Sequence, residues 1–323
     1  MAKVSKLYSS TDMFWSSPKF VSEGDLVIET RIVLPKNGWQ TVPAFIKDGK
    51  LAPINPGLTG TFNLNPMCKV SEDVWLCQYG DNKPNKPNTG LLLSSDGKIV
   101  KWLDTPKTQF ASINPFWSDG EYIGGKIWVR EKGVLLVKDI VWKANGSLEG
   151  IYESLRPVNN SGIVGRSLGE FVTVEQNINC PGDFASPMTR GVRGFYTFGH
   201  MFIGGKVTTA NTHSWIKNEM TGDVDFLQPE GVPFVDRFSA SNCSEDGRFV
   251  WGLGFPVNIK VNSEAGEPLQ TNLIWDRENG WLKMDEVFET DANFSKTIID
   301  GEVAYTVSNN SLLKIENWVK SSE

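Results

Sequence analysis

The sequence predicts an all-β protein, a single β-propeller of six four-stranded blades. The first observation is a repeat: five segments share a short apolar run, often with Trp, followed by a turn built on Gly or Asn. Asp48, Asp96 and Asn145 mark the first three turns, so the repeat is about 48 residues long. Repeats of this length are typical of propeller blades. The second observation is composition, because 12 Trp, 18 Phe and 31 Gly favour strands and tight turns over helices.

Each repeat is predicted to contain four strands in the same order. It opens with a strand and a tight acidic turn with Gly, as at Asp119-Gly120 and Asp246-Gly247. The third strand carries the apolar or Trp-bearing run, and the fourth is short and often ends at Pro, which an outer strand tolerates. In one domain spanning 1–323, the repeats cover about 14–56, 57–107, 108–157, 158–230, 231–288 and 289–323.

The last repeat is too short to supply four strands. A propeller closes its ring by completing one blade with strands from both termini, and residues 3–9 have the composition of a strand. We therefore expect the N-terminal strand to close the ring. The fourth repeat is overlong, and a degenerate seventh blade is the alternative to a count of six.

Three longer segments are predicted to form loops on one face. The main one is an insertion at 158–194, and two smaller expansions cover 79–90 and 254–270. Long segments outside the scaffold usually carry function. The predicted partner-binding residues in or beside them are Arg166, Phe184, Arg190, Arg193, Lys83, Lys86 and Phe255.

Composition and charge exclude several classes of function. The formal net charge is -6, without long runs of either sign, whereas a nucleic-acid binder needs a basic stripe. No apolar segment is long enough for a signal peptide or a membrane span, so we expect synthesis in the cytoplasm and no membrane partner. Four Cys and two His without ligand spacing predict no metal, and the Gly-rich segments lack nucleotide-binding patterns, which predicts no cofactor.

Catalytic groups are sparse. A glycosidase needs two carboxylates about 5–10 Å apart, but the predicted inner strands are apolar or rich in Asn and Ser, and the acidic residues fall in turns. No catalytic residue is therefore predicted. The alternative is a site made by His200 and His213 on facing strands of one blade, beside Arg190 and Arg193.

Most of the tryptophans are predicted to form the core between blades. These are Trp75, Trp102, Trp128, Trp142, Trp215, Trp251, Trp275 and Trp281. The four near turns are the candidates for exposed contacts, namely Trp15, Trp39, Trp117 and Trp318. Cys68 and Cys77 are expected to pair across a hairpin whose turn is Glu72-Asp73.

The third strands, of the type NLIWDRENGW and HSWIKNEMTGD, resemble those of propellers built from HAF repeats. The His-Ala-Phe core of that family corresponds here to 43–45, 213–215 and 273–275. The resemblance implies the fold and no catalytic residue. Propellers also serve as ring-shaped structural parts in the tails of bacterial viruses, and the abundant Asn, Gly and Trp suit such a part.

The sequence thus predicts a non-catalytic structural or docking module. It would bind a protein partner through loops on one face, within a larger assembly such as a phage tail or virion. The alternative is a carbohydrate-binding or carbohydrate-active propeller with a glycan ligand. Axis-facing acids would favour the enzyme, whereas exposed apolar loop tips would favour docking.

Overall fold

The computed structural model describes residues 2–10, 16–22, 24–35, 38–47, 50–81, 86–153, 163–167, 170–173, 184–193, 196–203, 212–256 and 270–319. The chain forms two compact units. The N-terminal unit comprises Leu7–Arg166 and Phe171–Thr173, and the C-terminal unit comprises Met1–Lys6, Ser167–Glu170 and Val174–Glu323. Strand β1 (Lys3–Ser9) begins the chain.

The N-terminal unit contains an eight-stranded sheet and a four-stranded sheet. The eight strands are β2 (Ser17–Ser22), β3 (Asp25–Val33), β4 (Trp39–Lys47), β5 (Lys50–Pro53), β6 (Phe62–Ser71), β7 (Val74–Asp81), β8 (Thr89–Ser94) and β9 (Ile99–Trp102). The four strands are β10 (Phe110–Ser118), β11 (Tyr122–Glu131), β12 (Val134–Lys143) and β13 (Leu148–Glu153). Strands β14 (Ile163–Ser167) and β15 (Glu170–Thr173) pair with each other.

The eight-stranded sheet consists of two four-stranded antiparallel meanders. They are joined where β4 and β6 run parallel for a short distance, with Gln40 opposite Phe62 and Thr41 opposite Asn63. The start of β4 and the start of β6 therefore lie at the same end of the sheet.

The C-terminal unit contains three four-stranded sheets. The first is made of β16 (Phe184–Arg193), β17 (Tyr196–Ile203), β18 (Thr212–Asn218) and β19 (Val224–Leu227). The second is made of β20 (Arg237–Cys243), β21 (Phe249–Phe255), β22 (Thr271–Asp276) and β23 (Gly280–Lys283). The third is made of β24 (Thr297–Asp300), β25 (Val303–Ser308) and β26 (Ser311–Glu316), with β1 beside β26.

The repeated four-stranded antiparallel meander is the blade unit of a β-propeller, so the predicted all-β propeller class is confirmed. The N-terminal strand supplies the fourth strand of the last sheet, where Lys3 Nζ lies 3.6 Å from Glu316 Oε2. The number of blades stays a prediction, as do the single domain and the limits of the repeats.

Helices are minor elements of this fold. Helix α1 (Met284–Phe288) follows β23, and a short 3₁₀ turn spans Phe294–Lys296. None of the helices in the described ranges has the length and apolar character needed to span a lipid bilayer.

The predicted insertion is corrected over part of its length. Residues 184–193 form β16, which pairs with β17 and is therefore scaffold and not loop. The register of β16 shifts between Ala185 and Met188 and again between Thr189 and Gly191. These bulges interrupt the alternation of apolar and polar residues, which is why the strand is not visible in the sequence. Residues 158–162, 168–169 and 174–183 of the insertion lie outside the described residues.

Four tryptophans form the centre of the core, as predicted. Trp75, Trp142, Trp215 and Trp251 are fully buried. Each indole N–H donates a hydrogen bond, which removes the cost of burying a polar group. The acceptors, in the same order, are Ser22 Oγ at 2.9 Å, Asp104 O at 2.8 Å, His200 O at 3.1 Å and Thr297 O at 3.1 Å.

The predictions for other tryptophans are partly wrong. Trp117 and Trp318, predicted to be exposed, are buried. Trp117 lies over Gly124, which has no side chain to exclude it, and Trp318 packs on Phe249 with 5.0 Å between ring centroids. Trp102, predicted to be core, is 39% exposed. Trp39 is half-buried, and Trp15 lies outside the described residues.

The cysteine prediction is also corrected. Glu72 and Asp73 do form the turn, because Ser71 lies opposite Val74. Register shifts in β6 then place Cys77 opposite Pro66, and Cys68 opposite Leu76. Cys68 is half-buried and Cys77 is buried, and burial raises the pKa of Cys77.

The acidic Gly turns have the capping role predicted for them. Asp119 Oδ1 accepts hydrogen bonds from the backbone N–H groups of Glu121 and Tyr122 at 2.9 and 2.7 Å. Asp246 Oδ1 accepts from the N–H of Arg248 at 3.0 Å. These carboxylates stabilise turns, and this explains their place in the repeat.

Candidate functional site

The structure separates the two histidines of the alternative site. On β17 and β18, His200 lies opposite Ser214, and His213 lies opposite Met201. Opposed residues on antiparallel strands share a face, and successive residues alternate. The two imidazoles therefore point to opposite faces of the sheet and do not form one site.

His200 has structural partners. It is buried, and its Nε2 donates to Ala240 O at 3.1 Å and lies 3.2 Å from Ser239 Oγ. Ser214, on the same face, bonds Phe238 O at 2.9 Å and accepts from Ala240 N at 2.8 Å. His200 and Ser214 thus hold strand β20 against the face of the β17–β18 pair.

His213 is buried in a different environment. Burial, together with the Arg237 guanidinium, lowers the pKa of its imidazole. The ring is therefore neutral at neutral pH. A buried imidazole on the opposite face of the sheet from His200 does not form the predicted pair.

Of the two predicted arginines, Arg193 contacts a neighbouring sheet. Arg190 and Arg193 lie on β16, where Arg193 Nε donates to Asn242 Oδ1 at 3.1 Å. This bond links β16 to β20, so Arg193 connects two sheets. Phe184 begins β16 and Arg166 lies on β14. For these two residues and for Arg190, the structure describes the position in the strand and not the side chain.

The remaining predicted partner-binding residues differ in exposure. Lys83 lies outside the described residues. The Lys86 side chain is exposed and forms a salt bridge of 3.0 Å with Asp81. Phe255 ends β21 half-buried, and its carbonyl accepts from the N–H of Asp236 at 3.0 Å.

In the N-terminal unit, the connections between second and third strands define a surface, which we call the loop face. Its described residues are 33–35, 38–39, 81, 86–89 and 131–135. The parallel contact of β4 and β6 brings the first two connections together, because Phe62 lies opposite both Gln40 and Asp81. Asn88 of the second connection also contacts β10, since Ile113 N donates to Asn88 O at 2.9 Å, and the third connection is the β11–β12 hairpin of the sheet that contains β10.

The first part of the loop face is a hairpin with an exposed apolar end. Val33 ends β3 and is 73% exposed, and it lies opposite Trp39. The Arg31 guanidinium lies 4.5 Å from the Trp39 ring centroid, and Leu34 N donates to Gly38 O at 2.8 Å. The hydrogen bond closes the connection and the cation–π contact packs Arg31 on Trp39 beside it, so Val33 is exposed next to a hydrogen-bonded strand end.

The second part is charged and aromatic. Tyr79 packs edge-on against Trp102, with 5.0 Å between the ring centroids. Burial raises the pKa of Tyr79, and the Asp81 carboxylate raises it further. The Asp81–Lys86 salt bridge lies directly beyond this aromatic pair.

The third part is the hairpin of β11 and β12. Its two-residue turn, Lys132 and Gly133, has φ values of 49° and 83°, as a tight hairpin turn requires. Val134 and Leu135 follow at once and are 57% and 50% exposed. They point to opposite faces of the hairpin, so both sides of its tip are apolar.

A salt-bridge network stiffens this hairpin. Lys138 Nζ lies 2.7 Å from Glu131 Oε1 and 2.9 Å from Glu153 Oε1. The β11–β12 register is unbroken from Tyr122 opposite Lys143 to Glu131 opposite Val134. The continuous register therefore gives the apolar tip a defined strand geometry, which lowers the ordering that binding would require.

The sequence reading missed Val33, Val134 and Leu135. The signal for the last two is present, because GVLLV has consecutive apolar residues where a half-buried strand alternates. Such a run directly after a two-residue turn predicts apolar side chains on both faces at the tip.

The charged groups inside the sheets are paired. Lys126 and Asp139 form a buried salt bridge of 2.9 Å, and so do Lys217 and Glu219 at 2.7 Å. Glu219 also accepts from Thr197 Oγ1 at 2.7 Å. Within the described ranges, no three His, Cys, Asp or Glu side chains are grouped as metal ligands.

Comparison with known proteins gives distant structural likeness. No protein-family model and no curated protein sequence matches the chain. TolB from Acinetobacter baumannii is 10% identical with a TM-score of 0.41, over 91% of this chain and 64% of that one. The β-propeller domain of the Trilobed protease from Pyrococcus furiosus is 10% identical with a TM-score of 0.46, over 96% and 82%.

An enzyme is among the similar structures. The α-L-arabinofuranosidase Arb93A from Fusarium graminearum is 7% identical with a TM-score of 0.44, over 93% of this chain and 92% of that one. The chain spans less than two thirds of the length of TolB.

Proposed function

We propose that the chain is a non-catalytic docking module that binds a protein partner through the loop face of its N-terminal unit. The observation that carries the proposal is the exposure of Val33, Val134 and Leu135 at the ends of hairpins. Exposed apolar side chains on rigid supports are typical of protein-binding surfaces.

The composition of the loop face also supports a protein partner. Apolar tips alternate with charged groups, including the Asp81–Lys86 pair and the Lys138 network. Protein interfaces have this arrangement of apolar centres and a polar rim. The rigid hairpins lower the entropy that binding would otherwise cost.

The larger assembly that we propose is a phage tail or virion. Its support is the propeller fold and the abundance of Asn, Gly and Trp. The test is sedimentation of the chain from its native source with mass spectrometry of each fraction. A fixed ratio to a large particle is the expected result, and a free species of the chain's own mass would overturn the assembly.

The docking face has its own test. We would replace Val134 and Leu135 together with Asp and measure co-sedimentation with the particle. Loss of at least 90% of the bound chain is expected, with an unchanged unfolding midpoint because both residues are exposed. The matched control is Met220→Asp, an equally exposed apolar residue on a turn of the C-terminal unit. Equal binding by the double variant and wild type would contradict the proposal.

A carbohydrate-binding function is the second candidate. One observation favours it: the exposed Trp102 ring stands edge-on to Tyr79, and exposed rings of this kind stack on sugars. A glycan array compared between wild type and Trp102→Ala tests it. Binding that survives the substitution, or no binding at all, would remove this candidate.

A further inference from the structure

Phe234, in the C-terminal unit, combines two unfavourable features. Its side chain is 53% exposed, and its backbone has φ of 61°. Positive φ is rare for a bulky residue, because Cβ then crowds the following carbonyl. Neither feature stabilises the fold, so a reason for Phe at this position must lie elsewhere.

The local backbone explains the positive φ. Val235 N lies 3.3 Å from Val232 O, which closes a four-residue turn with Pro233 second and Phe234 third. A type II turn has Pro at its second position and a residue with positive φ at its third, where Gly or Asn is strongly favoured. Phe234 occupies this third position.

The preceding turn supplies an internal comparison. Val232 N lies 3.4 Å from Pro229 O, and the third residue of that turn is Gly231, with φ of 76°. Two consecutive turns thus both require positive φ at the third position. The first turn has Gly at that position, and the second has an exposed aromatic residue.

The turn itself is firmly fixed. Val235 is buried in the core that also includes Phe238, and Val232 packs against that core. Asp236 N donates to Phe255 O at 3.0 Å, which ties the segment to the end of β21. The ring of Phe234 is therefore held outward by an anchored segment.

We propose that Phe234 is an anchor for a protein partner, a contact separate from the loop face. Strained residues persist where function requires them, and an exposed aromatic on a rigid turn is a typical binding anchor. Glu230 is exposed on the preceding turn, whereas Asp236 is followed directly by Arg237. By charge complementarity with Glu230, the partner offers an apolar pocket for one ring with a cation beside it.

The test uses three substitutions with different expected effects on stability. Phe234→Asn suits the turn, and the ratio of folded to unfolded chain should rise about five-fold. Phe234→Ala keeps the strained backbone without the ring, and the ratio should stay near that of wild type. Urea unfolding of the full chain measures both. If both variants unfold more easily, the ring contributes to the fold and the proposal fails.

The binding arm uses the native particle fraction as the probe. Phe234→Asn and Phe234→Ala should each weaken co-sedimentation at least ten-fold, and Phe234→Tyr, which keeps the ring, should retain it. Binding of wild type should also fall as salt rises and in Glu230→Lys. Undiminished binding by Phe234→Ala overturns the anchor. The loop-face variants of Val134 and Leu135 are scored separately, so either contact can fail alone.

Discussion

Arg248 places its guanidinium against the buried carboxylate of Asp276, with Nε 3.1 Å from Oδ1 and an Nη 3.3 Å from Oδ2. The same carboxylate accepts from Glu278 N at 3.0 Å and Asn279 Nδ2 at 2.5 Å. Arg248 precedes β21 and Asp276 ends β22, so the pair locks the second sheet of the C-terminal unit at one end.

Removal of Arg248 should therefore destabilise the chain. Arg248→Ala leaves the buried Asp276 carboxylate without its cation and should lower the free energy of unfolding by about 2 kcal/mol. This loss is smaller than for a fully buried ion pair, because Arg248 is partly exposed. Urea unfolding measures the loss. Arg248→Lys is the matched control, and it should recover part of the stability because it keeps the charge but not the two-pronged geometry. An unchanged midpoint for Arg248→Ala would contradict this account.

Acid should act through the same pair. Burial alone would raise the pKa of Asp276, but hydrogen bonds from Arg248 and Asn279 lower it below its usual value. A carboxyl with a lowered pKa stabilises the fold above its unfolded pKa, and this is lost as pH falls through the folded pKa. Arg248→Ala should therefore begin acid unfolding at a higher pH than wild type. Coincident acid transitions for the two proteins would argue against the ion pair.

His213 should make stability depend on pH in a different range. Burial and Arg237 lower its pKa, so the unfolded chain binds a proton at higher pH than the folded chain does. Stability should then fall as pH drops below about 6.5, the ordinary pKa of His. Thermal unfolding between pH 7.5 and 5.5 measures this slope, and His213→Gln should flatten it. The same slope in both proteins would contradict the prediction.

Gly124 should tolerate no side chain while Trp117 is present. A Cβ at Gly124 would lie 2.0 Å from Trp117 Cε2, so Gly124→Ala should cost about 2 kcal/mol by overpacking. In a Trp117→Leu background the same substitution should cost much less, because the obstructing ring is gone. A double-mutant cycle by urea unfolding measures the coupling. Additive losses would show that Trp117 is not the obstacle.

Deletion of 165–188 should unfold the C-terminal unit. The deletion removes the pairs Phe184–Ile203, Ala185–Phe202 and Met188–His200 between β16 and β17. Circular dichroism and limited proteolysis of the deletion variant measure the outcome. A chain with a native unfolding transition would mean that the first half of β16 is dispensable, as a surface insertion would be.

Much of the fold follows from the sequence alone. Trp142 and Trp215 recur in the same place in their repeats because each third strand is buried on both faces, and burial on that scale requires apolar side chains in every repeat. The acidic Gly turns can also be recognised in the sequence, because the Asp119 carboxylate accepts a hydrogen bond from the backbone N–H of Tyr122, three residues later. Local rules such as these act over a few positions, and a sequence displays them directly.

Register and exposure required the tertiary structure. His200 and His213 are on adjacent strands, but a single step of register decides whether they share a face, and no sequence pattern specifies that step. The two bulges within β16 (residues 184–193) likewise disrupt the alternation of apolar and polar residues by which a strand is recognised in a sequence.

The sequence by itself determined that the chain is all-β, repeats in four-stranded units and completes its last sheet with the N-terminal strand. Only the tertiary structure decided that Trp117 is buried, that Val33 is exposed, and that Phe234 is strained. The physical reason is that repeat and turn chemistry are local, whereas burial and backbone conformation depend on contacts between residues distant in the chain.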